Sequence, residues 1–94
     1  MRIRSIRHKG LKRLFEQDDA SRLTPATVPK IRNILAALAF ADDLSQLNTM
    51  PGWRLHPLTG NRQGQWSITV TGNWRLVFEV EGDEILNLDL EDYH

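Results

Sequence analysis

An α+β fold, with N-terminal helices packed on one face of a C-terminal antiparallel sheet, is what this 94-residue sequence predicts. Two observations carry that expectation. Through about residue 47 the apolar residues recur at helical spacing, and from Trp53 onward they recur at every second position. Helices first and strands second in one short chain leave one sheet face for the helices and the other for a ligand.

Each element follows from its own signals. Arg2-Ile3-Arg4-Ser5-Ile6 alternates polar and apolar and reads as a short strand with Ile3 and Ile6 turned inward. Leu11, Leu14 and Phe15 stand at i, i+3 and i+4, which predicts an amphipathic helix over 10–16, with His8 capping or flanking it. Thr24-Pro25 and Val28-Pro29 are helix-start signals, because proline is tolerated only in the first turn. The stripe Ile31, Ile34, Leu35, Leu38 predicts a helix over 29–41, with a short helical piece over 43–47. Pro51-Gly52 closes this half. A strand then turns Trp53 and Leu55 one way and Arg54 and His56 the other, before a polar loop over 59–64. Trp66, Ile68 and Val70 share a face of a strand over 65–71, and Trp74, Leu76, Phe78 and Val80 share a face of the next. A last strand over 85–90 puts Leu86, Leu88 and Leu90 inward. All three tryptophans are expected in the core.

Size and composition narrow the classes. One domain over 1–94 is expected, with no internal repeat or linker. Hydrophobic content of 40% and charge of 26% suit an ordinary soluble protein. With no cysteine there is no disulfide framework and no thiolate metal site, and the three histidines lack metal-ligand spacing, so neither metal nor cofactor is expected. No apolar run is long enough for a membrane span and no signal peptide opens the chain, so a cytoplasmic location is expected. The formal net charge of zero hides an asymmetry: all twelve Lys and Arg fall in residues 1–75, whereas residues 76–94 hold seven of the twelve Asp and Glu. Arg2, Arg4, Arg7, Lys9, Lys12 and Arg13 crowd the first thirteen positions, the footprint of a polyanion partner or simply a solvated face.

Chemistry concentrates in three stretches. His56, opposite the Trp53 side of its strand, is a potential general acid or base, although an isolated histidine more often makes an ordinary hydrogen bond. Arg75, opposite Trp74 and Leu76, can grip a phosphate or else pair across the sheet with Glu79 or Asp89. The chain ends on Asp92-Tyr93-His94, an acid, a ring and an imidazole together. The loop over 59–64 is no phosphate-binding P-loop, since it lacks a Gly-Lys-Ser/Thr ending.

Taken in order, His8-Lys9-Gly10-Leu11, then Leu14-Phe15, Leu55-His56-Pro57-Leu58, Gly60, Arg62, Gly64, Trp66-Ser67-Ile68, Asn73-Trp74-Arg75-Leu76 and Glu91-Asp92-Tyr93-His94 resemble the HigB toxins of the RelE-like superfamily. The resemblance spans nearly the whole chain. It implies a microbial-RNase-like α+β fold and a ribosome-dependent endoribonuclease that cuts messenger RNA in the ribosomal A site. It also implies an active-site set of His56, Arg75, Asp92, Tyr93 and His94. His56 and His94 would move protons, Arg75 would steady the phosphorane, Tyr93 would stack on the nucleotide, and Asp92 would orient His94 or contact the base. Thr59 stands where many family members carry lysine, and Arg62 or Arg54 is the available replacement. Arg2, Arg4, Arg7, Lys9, Lys12, Arg54 and Arg62 are the expected contacts to RNA or the ribosome. The implied partners are the ribosome, messenger RNA, a HigA-type helix-turn-helix antitoxin and, through it, operator DNA. The competing expectation is a non-catalytic nucleic-acid-binding or corepressor module acting with that antitoxin; a ribosome-independent nuclease is a third.

Overall fold

The computed structural model describes residues 1–92; Tyr93 and His94, both expected in the active site, lie outside the described residues. In chain order the elements are β1 (Arg2–Ile3), α1 (Lys9–Gln17), α2 (Val28–Phe40), β2 (His56–Pro57), β3 (Gln65–Thr69), β4 (Trp74–Glu81) and β5 (Glu84–Asp92). The strands form one sheet in the order β1-β5-β4-β3-β2. Strands β2 to β5 pair antiparallel as expected, whereas β1 lies parallel to β5 at the far edge. Among the described residues no helix is long and apolar enough to cross a membrane.

The helices form where local chemistry starts and stops them. His8 caps α1, its Nδ1 accepting the Leu11 N–H at 3.2 Å. A Cβ on Gly10 would stand 3.0 Å from His8 Cε1 and from a Leu23 methyl, so any side chain there would push these neighbours back by a few tenths of an ångström. The Pro25 turn and the Val28-Pro29 start lead into α2, whose Ile31, Ile34, Leu35 and Leu38 are buried as the stripe predicts. With Leu11 and Leu14 they pack on Ile68, Leu76, Phe78, Ile85 and Leu88. Each such side chain contributes roughly 1.5–3 kcal/mol of burial free energy. Trp53 joins this core, and Trp66 and Trp74 pack half-buried against it. The helical piece expected over 43–47 is a 3₁₀ turn, Leu44–Leu47, capped by Asp43.

Two expectations need correction, and both bear on the site. The strand expected from Trp53 is only His56–Pro57, because Gly52 (φ 79°) and Arg54 (φ 49°) bend the chain immediately before it. The last strand does not alternate simply. Val77 pairs Asp89 but Glu79 pairs Leu86, so Asn87 and Leu88 both lie against Phe78 in a β-bulge. Asn87 takes the left-handed conformation at φ 54°, which asparagine tolerates, and its N–H donates to Ser5 Oγ at 2.8 Å. The extra residue shifts the strand's phase, so Ile85 rather than Leu86 is fully buried. Beyond the bulge Leu88 and Leu90 face the core as expected, which leaves Glu91 opposite Arg75.

Candidate active site

Directly paired residues share a sheet face, so the register locates the site. His56, Ser67, Val77 and Asp89 form one row across β2 to β5, and Thr69, Arg75 and Glu91 form the next. Both rows lie on the face away from the helix-packed core, as the alternation around Trp74 and Leu76 predicted. By sheet spacing the backbones of His56 and Arg75 are about 12 Å apart, two strands across and two residues along.

The bend before β2 gives His56 its ring geometry. Its Nδ1 lies 2.7 Å from the Arg54 carbonyl oxygen. A carbonyl only accepts, so Nδ1 carries the proton and Nε2 is the atom left to exchange one. Because β2 is the edge strand, Pro57 omits no interior ladder bond and His56 is exposed.

Arg75, 19% exposed, faces Glu91 instead of the Glu79 or Asp89 partner that sequence alone suggested, with Nη2 3.4 Å from Glu91 Oε1. Arg62 arrives from the 3₁₀ turn Gly60–Arg62 in the β2–β3 loop and reaches the same carboxylate. Its Nη1 and Nη2 meet Glu91 Oε1 and Oε2 at 2.8 and 2.5 Å, while Nε donates to Gln65 Oε1 at 2.7 Å. The side chain thereby crosses the row of Ser67 and Val77, which are 1% and 2% exposed. The Arg62 hydrogen bonds, and more weakly the charges of Arg62 and Arg75, hold the Glu91 carboxyl below the usual range against the opposing effect of burial. Glu91 in turn raises the Arg62 guanidinium above its ordinary value. Glu91 had no individual role in the sequence reading. The adjacent apolar pair Ile85-Leu86 followed by Asn87 was the available hint of the phase slip that delivers it.

The remaining expected residues fall elsewhere. Asp92 pairs with Trp74, on the helix side at the end of the sheet. Arg54 is exposed, and Thr59 is the exposed residue before the turn that returns Arg62. Arg2, Arg4, Arg7, Lys9 and Lys12 are all exposed and belong to β1, α1 and the segment between them. Since β1 and β2 are opposite edges, this basic surface is separate from His56. Arg4 is paired with Glu84 at 3.0 Å, so the acidic C-terminal half neutralises part of the cluster. Among the described residues no three His, Cys, Asp or Glu converge as metal ligands. The assembled groups are an imidazole with a defined exchangeable atom and two guanidiniums on one carboxylate. Such a set can transfer a proton and stabilise negative charge on a phosphate.

Comparisons with known proteins point the same way. A family model described as "RelE-like toxin of type II toxin-antitoxin system HigB" matches residues 4–94. The chain is similar to Endoribonuclease HigB of Proteus vulgaris, 42% identical over 98% of this chain and 99% of that protein. It is 32% identical to Toxin HigB-1 of Vibrio cholerae over 94% of each. Among solved structures, it resembles a YoeB/ParE toxin from Agrobacterium tumefaciens (TM-score 0.51, 18% identity, 89% of this chain and 86% of that one). YafQ from E. coli is alike at TM-score 0.51 and 16% identity, over 95% of this chain and 92% of YafQ. At these identities the structural likeness establishes the RelE-like fold.

Proposed function

The chain belongs to the HigB family of RelE-like toxins from type II toxin–antitoxin systems, and from that premise we propose that it is a ribosome-dependent endoribonuclease. It cuts messenger RNA in the ribosomal A site and so arrests translation. What supports this reading is that His56 and Arg75 occupy neighbouring rows of the helix-free sheet face and that Arg62 reaches Glu91 on it. The Proteus vulgaris relative is itself named an endoribonuclease.

The reaction needs a base to take the proton of a ribose 2′-OH as it attacks the adjacent phosphorus. It needs an acid to protonate the departing 5′-oxygen and a cation for the charge on the phosphorane. His56 moves one of these protons through Nε2, the atom its carbonyl bond leaves open. Arg75 supplies the cation. His94 moves the other proton, Tyr93 stacks on the nucleotide, and Asp92, which shares the Trp74 side at the strand's end, acts from there by orienting His94 or contacting the base. The basic surface of Arg2, Arg4, Arg7, Lys9 and Lys12 docks on ribosomal RNA, with Arg54 beside the message, so that the ribosome performs the positioning this small site lacks.

As a type II toxin the chain has an antitoxin partner. We assign that partner to the HigA type, with a helix-turn-helix through which the complex binds its operator.

Programmed ribosomes carrying a defined message test the reading directly. The wild type should give discrete A-site cuts, and a folded His56→Ala variant should lose about 10²–10⁴-fold in rate. Cuts at full rate by the variant would remove His56 from the chemistry. A wild type that binds ribosomes and leaves messages whole would turn the reading into a non-catalytic binder.

A further inference from the structure

Glu91 is the least expected member of the open face. A carboxylate in a phosphate-binding site ordinarily opposes the ligand, yet this one is built in. The Asn87 bulge sets it opposite Arg75, and its two oxygens take the Arg62 fork. Arg62 Nη1 and Arg75 Nη2 share the single oxygen Oε1, so one carboxylate gathers two guanidiniums from different elements. Gln65 fixes Arg62 at a further point. Of the five N–H groups on the Arg62 guanidinium these contacts occupy three, and two remain for an acceptor.

Electrostatics gives the arrangement its sense. Two adjacent guanidiniums repel, and the loop bearing Arg62 is largely exposed, so the Glu91 fork and the Gln65 amide are what hold it near Arg75. Glu91 offsets the repulsion between the two cations, and Asp89, in the neighbouring row, adds a weaker attraction on Arg62. An incoming phosphate meets guanidiniums already in place, the preorganisation that lowers the cost of stabilising a transition state.

We propose that Glu91 is a positioning residue, whose carboxylate holds Arg62 beside Arg75 so that both guanidiniums are in place for the scissile phosphate. Arg62 thereby becomes a second phosphate-contacting cation, in the loop where Thr59 carries no charge. The proposal rests on the nuclease reading above and adds two residues to it.

Ribosome-programmed cleavage by Glu91→Gln, Glu91→Asp, Arg62→Gln and the Glu91→Gln/Arg62→Gln double variant tests it, with thermal unfolding measured alongside. Mispositioning by about an ångström costs on the order of 100-fold. Glu91→Gln and Arg62→Gln should each lower kcat about 10- to 100-fold, with KM changed less than about threefold. The double variant should be no worse than the poorer single one, because both act through the same guanidinium. Glu91→Asp should recover part of the loss. Multiplying defects in the double variant, or a lower melting temperature with kcat untouched, would reduce Glu91 to a stabilising ion pair and overturn the proposal. A wild type that cuts beside an equally fast Glu91→Gln variant defeats this proposal alone. A wild type that does not cut defeats the nuclease reading, and this proposal with it.

Discussion

Replacing Arg75 by glutamine separates chemistry from stability because of what the substitution leaves behind. Removing one partner of an ion pair is costly when it orphans a buried charge. Here Glu91 keeps both bonds to Arg62, at 2.8 and 2.5 Å, so its carboxylate remains satisfied. The Arg75–Glu91 contact itself is long at 3.4 Å, which puts its loss near about 1 kcal/mol. For a domain of this length that lowers the melting temperature by about 4–8 °C. Against a typical folding free energy of about 5–15 kcal/mol, the variant stays almost wholly folded at 25 °C. Losing a preorganised charge stabiliser removes about 10²–10³ from kcat. Thermal melts and single-turnover cleavage on programmed ribosomes read the two effects independently. A kcat within threefold of wild type would refute the role of Arg75 at the phosphate. Activity falling only in proportion to the folded fraction would refute the stability argument.

Two further outcomes follow from the electrostatics. The carboxyl of Glu91 is held low in the fold, so its ion pairs contribute full stability above the ordinary carboxylate range and lose it as pH falls through the depressed folded value. Urea unfolding between about pH 6 and pH 3 should show a shallower acid loss for Glu91→Gln than for wild type, and parallel curves would contradict that linkage. At the other edge of the sheet, charge reversal at Lys9 and Lys12 should weaken ribosome association and flatten its salt dependence. Reversal at Arg4 should also break its bond to Glu84 and lower stability, so pelleting and melting assays should distinguish the two surfaces.

Much of this architecture is legible in local sequence because local physics decides it. The stripe from Ile31 to Leu38 and the two prolines before it specify α2, and His8 caps α1 through a contact three residues away. His56 and Arg75 could be assigned to the helix-free face because each alternates with a core residue, Trp53 or Leu55 in one case and Trp74 or Leu76 in the other. Their company could not. Which acid of the open face meets Arg75 depends on the register set by one inserted residue at Asn87, and strict alternation conceals such a slip. The Arg62 contact depends on a loop folding back over the sheet, which no periodicity encodes. The parallel pairing of β1 is likewise long-range, joining Arg2 to Glu84 across most of the chain.

The central chemical claim is that the message cuts itself, its own 2′-hydroxyl attacking the neighbouring phosphate while side chains of this face move protons and hold charge. A message with a single 2′-deoxynucleotide on the 5′ side of the scissile phosphate, presented on programmed ribosomes to the wild-type protein, isolates that hydroxyl. The deoxy message should stay whole at the mapped position, while the all-ribose message should be cut there to a 2′,3′-cyclic phosphate end. Equal cutting of both messages would contradict that claim.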